Sequence, residues 1–329
     1  MDDRVLSLQD LVVSFKINDQ YYAAVDGVSL DIIKNETFAI VGESGCGKST
    51  AALSILNLHD PIFTRIEGNI DFGGRNLAKM TDNELNKIRG AEIGMIFQDP
   101  LTSLNPLHRI GRQLEESMLY HKKDMTAAQR KATALRLMDE VGIPNPTLTY
   151  DSFPHELSGG MRQRIVIAIA LSCEPSLLIA DEPTTALDVT IQAQILDLMR
   201  DLQKKTQASI LLITHDLGVV AEMADRVAVM YAGQIVEMAD VEELFHNPLH
   251  PYTRSLLSSM PSNAIDGKLS TIQGTVPTLL RMERNGCRFG DRIPWIGSDT
   301  HEADPVLREV KPNHFVRCTC HQNFKFMEG

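Results

Sequence analysis

An excess of positive charge, long apolar runs and a paired cysteine framework are all missing from this 329-residue chain. Its 32 Lys+Arg are outnumbered by 43 Asp+Glu, a formal net charge of -11. That balance disfavours a nucleic-acid surface, because affinity of that kind rests on cations neutralising phosphates. The longest apolar run is Ile165 to Leu171, far short of the roughly 18 residues a membrane span needs, so no direct span is expected. Met1-Asp2-Asp3 carries the wrong charge to begin a signal peptide, so export is not expected either. The 5 cysteines, Cys46, Cys173, Cys287, Cys318 and Cys320, are odd in number and thinly spread. Such usage suits reduced thiols better than a disulfide scaffold. Internal repeats and low-complexity tracts are absent too. With 43% hydrophobic, 23% charged and 5% aromatic residues, the chain can build one large domain or two unequal ones.

What is present reads as strands alternating with helices. Residues 4 to 41 have strand character: Val28, Leu30 and Ile32 alternate with polar neighbours, and Phe38-Ala39-Ile40-Val41 is a buried-type run that stops at Gly42. Thr126 and Gln129 form a capping box before apolar residues at helical spacing, which run to Val141 and stop at Gly142, so the middle, about 100–172, is expected to be helical. Leu177-Leu178-Ile179-Ala180 and Ile210-Leu211-Leu212-Ile213 read as buried strands. Between them Ile191, Ile195, Leu198 and Leu202 predict one face of a helix capped by Asp188. Ala232-Gly233 predicts a hairpin. This alternation implies an α/β fold with a largely parallel, doubly covered sheet. After about residue 245, frequent prolines mark a small irregular module at 246–329, following a first domain at 1–245.

Three constellations carry chemistry. Gly42-Glu43-Ser44-Gly45-Cys46-Gly47-Lys48-Ser49 fits Gly-x-x-x-x-Gly-Lys-Ser/Thr, placed after a strand and before an apolar helix. Such a loop turns backbone N–H groups inward on phosphates, its lysine neutralises charge, and its serine offers a hydroxyl to Mg²⁺. Gly42, Ser44, Gly45, Cys46, Gly47, Lys48, Ser49 and Thr50 are therefore the candidate contacts to a nucleoside triphosphate. Asp181 and Glu182 end an apolar strand; the first can serve a metal shell and the second can polarise water. Leu157-Ser158-Gly159-Gly160-Met161 presents a second helix N-terminus with bared N–H groups and no lysine of its own.

Taken together with Gln98, Ala186-Leu187-Asp188 and His215, these segments occur in the order and spacing of an ATP-binding-cassette (ABC) ATPase. The resemblance covers about residues 4 to 245. It implies a cassette core that is mostly parallel sheet, with an antiparallel β subdomain and a helical subdomain. It also implies two cassettes that close head to tail, so that Ser158, Gly159 and Gly160 of one complete the ATP site of the other. By position Phe15 resembles the aromatic that stacks on adenine, with Tyr21 and Tyr22 as competitors. Ser49, Asp181 and Gln98 would meet Mg²⁺, Glu182 would act as general base, His215 would contact the γ-phosphate, and Asp188 would couple the paired sites.

Phe97 to Pro106, Ala180 to Thr190 and His246-Asn247-Pro248-Leu249-His250-Pro251-Tyr252-Thr253 are similar to the ATPase subunits of oligopeptide, dipeptide and nickel importers, most of all to the first of the two such subunits in an oligopeptide permease. That resemblance implies a second cassette ATPase in a heterodimer, two transmembrane permeases, an extracellular peptide-binding protein, and a place at the cytoplasmic face of the membrane. Nickel or another solute is the alternative cargo; a soluble ABC ATPase outside transport is the more distant alternative. Many such relatives carry a cysteine quartet able to hold an iron–sulfur cluster. Here Ile293 stands where its second cysteine belongs, which speaks against the cluster. Cys287, Cys318 and Cys320, with His301, His314 or His321 as a fourth ligand, could hold zinc instead, or stand as free structural cysteines in a module that has lost the cluster. Cys46 and Cys173 read as small buried residues.

Overall fold

The computed structural model describes residues 3–185, 187–260 and 272–326. Ala186 of the Ala186-Leu187-Asp188 stretch, Pro261 among the C-terminal prolines, and Met1-Asp2 lie outside the described residues. Strands follow the order β1 (Arg4–Ile17), β2 (Gln20–Ile33), β3 (Thr37–Val41), β4 (Thr64–Phe72), β5 (Arg75–Asn76) and β6 (Ile93–Ile96). Then come β7 (Leu177–Asp181), β8 (Ser209–Thr214), β9 (Arg226–Tyr231), β10 (Gln234–Asp240), β11 (Leu307–Lys311) and β12 (His314–Arg317). The chain forms two compact units, one of Met1–Val5, Ile32–Glu36 and Lys79–Ile213, the other of Leu6–Asp31, Thr37–Ala78 and Thr214–Gly329.

In the first unit β7 pairs in parallel with β6 and with β8. Every residue of β7 and β8 is buried, which is why both read as unbroken apolar runs rather than alternating ones. The middle of the chain is helical, with principal helices at Ile110–His121, Ala127–Glu140 and Gly159–Leu171. The helix Ala127–Glu140 starts at the expected capping box: Thr126 N donates to Gln129 Oε1 at 2.8 Å, and Gln129 N to Thr126 Oγ1 at 3.3 Å. The helix Val189–Thr206 buries Ile195, Leu196, Met199 and Leu202. Its stripe is thus turned from the expected one: Leu198 and Ile191 are half-buried, because spacing alone leaves the phase of an amphipathic face open by one position.

The second unit holds two sheets' worth of strands. β1, β2, β4 and β5 make an antiparallel sheet in the order β2-β1-β4-β5. β3 pairs in parallel with β9, with Phe38 opposite Arg226 and Val41 opposite Val229. β9 and β10 form the expected hairpin, its turn carrying positive φ at Ala232 (45°) and Gly233 (86°). β10 then accepts β12 as an antiparallel neighbour, with Met238 opposite Phe315, and β12 pairs with β11. The C-terminal extension is therefore less irregular than its prolines suggest: besides short turns at Gly290–Arg292, Ser298–Thr300 and Thr319–Gln322 it contributes a hairpin to this sheet. β10 and β12, on either side of residue 245, are hydrogen-bonded neighbours.

Candidate active site

The phosphate loop leaves buried β3 and enters the helix Lys48–Ile55. Two glycines make its path feasible. A Cβ on Gly42 would lie 2.1 Å from the Met230 carbonyl oxygen, and Gly47, at φ 110°, would bring one to 2.7 Å from Ala24 O. Lys48 is buried, and its Nζ donates to Gly42 O at 2.7 Å and Glu43 O at 3.1 Å, spanning the mouth of the loop. Ser44 and Gly45 are exposed; Gly47, Ser49 and Thr50 are half-buried. Cys46 is fully buried, and its N–H turns to Glu43 O at 3.3 Å. Burial pushes its thiol up despite the nearby Lys48, so this sulfur is an inert packing group rather than a nucleophile.

The acidic pair ends β7. Asp181 is buried, and Glu182 sits at φ 47°, a left-handed conformation that a glutamate adopts only where its surroundings hold it. Hydrogen bonds to neighbouring segments hold it. Its N–H donates to Ile213 O at 2.8 Å, and its Oε2 accepts from Thr185 Oγ1 at 2.8 Å and from Gln98 Nε2 at 2.9 Å. Gln98 and Glu182, 84 positions apart, are thus brought together. Thr185 is a positioning residue that the motif reading missed; its only sequence signal is its place three residues after Glu182.

The signature segment is built in the same unit. Leu157 is buried, Ser158 and Gly159 are exposed, and Ser158 Oγ caps the helix Gly159–Leu171 by accepting from Met161 N at 3.3 Å. A Cβ on Gly159 would meet nothing within 4 Å, whereas one on Gly160 would reach Ile191 at 3.0 Å. Asp188 is exposed and caps the next helix, its Oδ1 accepting from Ile191 N at 3.0 Å. Gln163, unremarked in the sequence, donates to Pro183 O at 2.6 Å and ties this helix to the loop that follows the acidic pair.

Among the remaining candidates, His215 is exposed just after β8, and its neighbour Asp216 caps the helix Leu217–Met223. Phe15 is half-buried and meets His59 edge-on at 5.4 Å between ring centres. Tyr21 lies under the Arg65 guanidinium at 3.7 Å, and Tyr22 donates to Gln20.

Sequence reasoning also missed a brace behind the phosphate loop. Arg292, from the C-terminal extension, clamps the Glu43 carboxylate through Nη1 at 2.6 Å and Nη2 at 3.3 Å. Tyr252 Oη accepts from Glu43 N at 2.8 Å, and Phe289 packs 5.3 Å from both Tyr231 and Tyr252. The partners in the Arg292–Glu43 pair lie 249 positions apart, so no local signal announces them.

Comparison with known proteins extends this picture. Residues 25–185 match the family described as ABC transporter, and residues 236–295 the one described as oligopeptide/dipeptide transporter, C-terminal region. The chain is 48% identical over 326 residues to the oligopeptide transport ATP-binding protein OppD of Lactococcus lactis subsp. cremoris (strain SK11), with 98% of this chain and 96% of that one covered. It is 50% identical to the dipeptide transport ATP-binding protein DppD of Bacillus subtilis (strain 168), with 95% and 98% covered. Among solved structures it resembles the dimeric post-hydrolysis state of the ATP-binding cassette MJ0796 bound to ADP and Pi. There the TM-score is 0.65 at 28% identity, over 72% of this chain and 98% of that one.

Proposed function

This chain belongs to the ABC transporter ATPases that carry the oligopeptide/dipeptide-type C-terminal region, and from that premise we propose that it hydrolyses ATP to drive peptide uptake through separate membrane permeases. The observation that carries turnover, rather than binding alone, is the Glu182 carboxylate fixed by Gln98 and Thr185 at the end of β7. A base held in one orientation loses no freedom when it takes the proton of an attacking water. Gly42, Ser44, Gly45, Cys46, Gly47, Lys48, Ser49 and Thr50 receive the phosphates, and Lys48 exchanges its carbonyl partners for phosphate oxygens. His215 meets the γ-phosphate, and Phe15 stacks on the base.

When bound with ATP, Mg²⁺ neutralises charge on the phosphate oxygens. Ser49, Asp181 and Gln98 would hold it; a hydroxyl, a buried carboxylate and an amide carbonyl make an oxygen set suited to that hard cation. Ser158, Gly159 and Gly160 face the nucleotide of a second cassette, and Asp188 couples the two sites. The sequence-based division, a cassette over 1–245 and an extension over 246–329, belongs to the same reading. So do a different second cassette, two permeases, an extracellular peptide-binding protein and a peripheral place at the cytoplasmic face. No helix among the described residues is long and apolar enough to cross a membrane.

The test is purification of the tagged Glu182→Gln chain from its native membrane in mild detergent with ATP and Mg²⁺, followed by mass spectrometry of what accompanies it. A second cassette ATPase, two polytopic permeases and a peptide-binding lipoprotein are expected. Recovery of the chain alone, or with ribosomes or DNA, would sink the transport assignment and leave the ATPase standing.

A further inference from the structure

The four side chains Cys287, His301, Cys318 and Cys320 come from three separate stretches of the C-terminal extension, and their ligand atoms all lie within 4.8 Å of one another. We propose that they form a mononuclear zinc site of three thiolates and one imidazole. The distances favour a single ion. In a tetrahedral zinc site, bonds of about 2.3 Å to sulfur and 2.0 Å to nitrogen put neighbouring ligand atoms roughly 3.5–3.8 Å apart. Cys318 Sγ and His301 Nδ1 already stand 4.0 Å apart, so closing on an ion needs only a short inward movement. A four-iron cluster places each sulfur on a different iron and demands a wider ring of ligands. Its usual ligand set is four thiolates, and Ile293, where the missing one would stand, is buried and apolar.

Of the three histidines that could complete the set, only His301 faces the sulfurs. His314 is committed to Glu237 Oε1 at 2.7 Å and Glu243 Oε1 at 3.3 Å, and His321 Nδ1 to Cys318 O at 2.8 Å. Cys318 and Cys320 are buried, Cys287 and His301 half-buried, which suits a closed structural site rather than an open catalytic one. Three thiolates with a divalent ion leave one negative charge, and the guanidinium-bearing Arg288 and Arg317 line the same small cavity as Cys287 and Cys318. Outside the hairpin of β11 and β12 the extension has little regular structure between residues 272 and 326, the kind of segment that a metal cross-link holds together. Cys287 also opens the short stretch that contains Arg288, Phe289 and Arg292. Arg288 binds Ala232 O and Asp26, and Arg292 holds Glu43 of the phosphate loop. The ion would thus anchor the brace at its root, a role beyond the ATPase reading and independent of it.

The test uses the full chain purified without chelators or metal-affinity resin, with zinc, iron and acid-labile sulfide measured per chain. One zinc, no labile sulfide, and a tetrahedral thiolate spectrum after exchange with cobalt(II) are expected. His301→Ala and Cys318→Ser should each lower retained zinc at least tenfold, while His321→Ala retains it. Because a cysteine variant can fail to fold, a second readout uses the unaltered protein: zinc should protect Cys287, Cys318 and Cys320 from alkylation, and chelation should expose them together. Iron with labile sulfide, a disulfide among the three cysteines, or free alkylation with added zinc present overturns the proposal.

Discussion

The phosphate loop and the signature loop are both glycine-rich turns ending at a helix N-terminus, yet they are finished in opposite ways. The first carries its own cation: Lys48 is buried across the loop, and Glu43 is gripped from behind by Arg292 and Tyr252. Its helix has no side-chain cap, which leaves the N-terminal N–H groups to a ligand. The second has no lysine, is capped by its own Ser158, and lies exposed at Ser158 and Gly159. One loop is equipped to hold charge alone; the other can only add to a site whose cation comes from elsewhere. That asymmetry suits the proposed head-to-tail pairing of two cassettes.

Breaking the first loop should have the larger effect. Lys48→Ala is expected to lower ATP turnover of the membrane-embedded assembly by about 10²–10³-fold, the scale of removing one preorganised charge-stabilising donor. Filter binding of a labelled ATP analogue should weaken with it. Ser158→Arg sharpens the comparison: turnover should fall by roughly 10²-fold while analogue binding to this chain's own phosphate loop stays within about twofold. A parallel loss of binding would place Ser158 in this chain's own site. Arg292→Ala removes the brace but no phosphate contact. Hydrogen bonds to charged groups contribute about 1.5–3 kcal/mol when well made; since the Glu43 side chain is 28% exposed, a three- to tenfold weaker apparent ATP affinity is expected after discounting for solvent. Smallest of all, Cys46→Ala should change turnover by less than about twofold, and in the intact protein Cys46 should resist maleimide labelling at neutral pH, because its thiol is buried and protonated.

What could be read from residues alone was what is encoded locally. The phosphate loop, the strand ending in Asp181-Glu182, the Thr126–Gln129 capping box and the hairpin at Ala232-Gly233 all depend on residues within a few positions of one another, and the structure has each element in place. The joining of Gln98 to Glu182 depended on recognising a family pattern, since no local rule links positions so far apart. The Arg292–Glu43 clamp and the choice of His301 over His314 and His321 were illegible, because they depend on where β12 and its flanking turns settle. Glu182's positive φ was hidden for a similar reason: a strained conformation is imposed by hydrogen bonds from the surroundings, not by the residue's own preference. On the helix Val189–Thr206 the period was right and the phase was not, since packing against neighbours decides which of two adjacent apolar positions turns inward.

The most direct measurement of the account is the identity of the nucleotide photo-cross-linked to this chain in the assembled transporter carrying Glu182→Gln, after incubation with labelled azido-ATP and Mg²⁺. Loss of a general base slows the chemical step by about 10²–10⁴-fold, so the nucleotide recovered should be uncleaved ATP, where the unaltered chain yields ADP. ADP recovered from the variant at the unaltered rate would contradict Glu182 as the base, and with it the reading that the carboxylate held by Gln98 and Thr185 carries turnover.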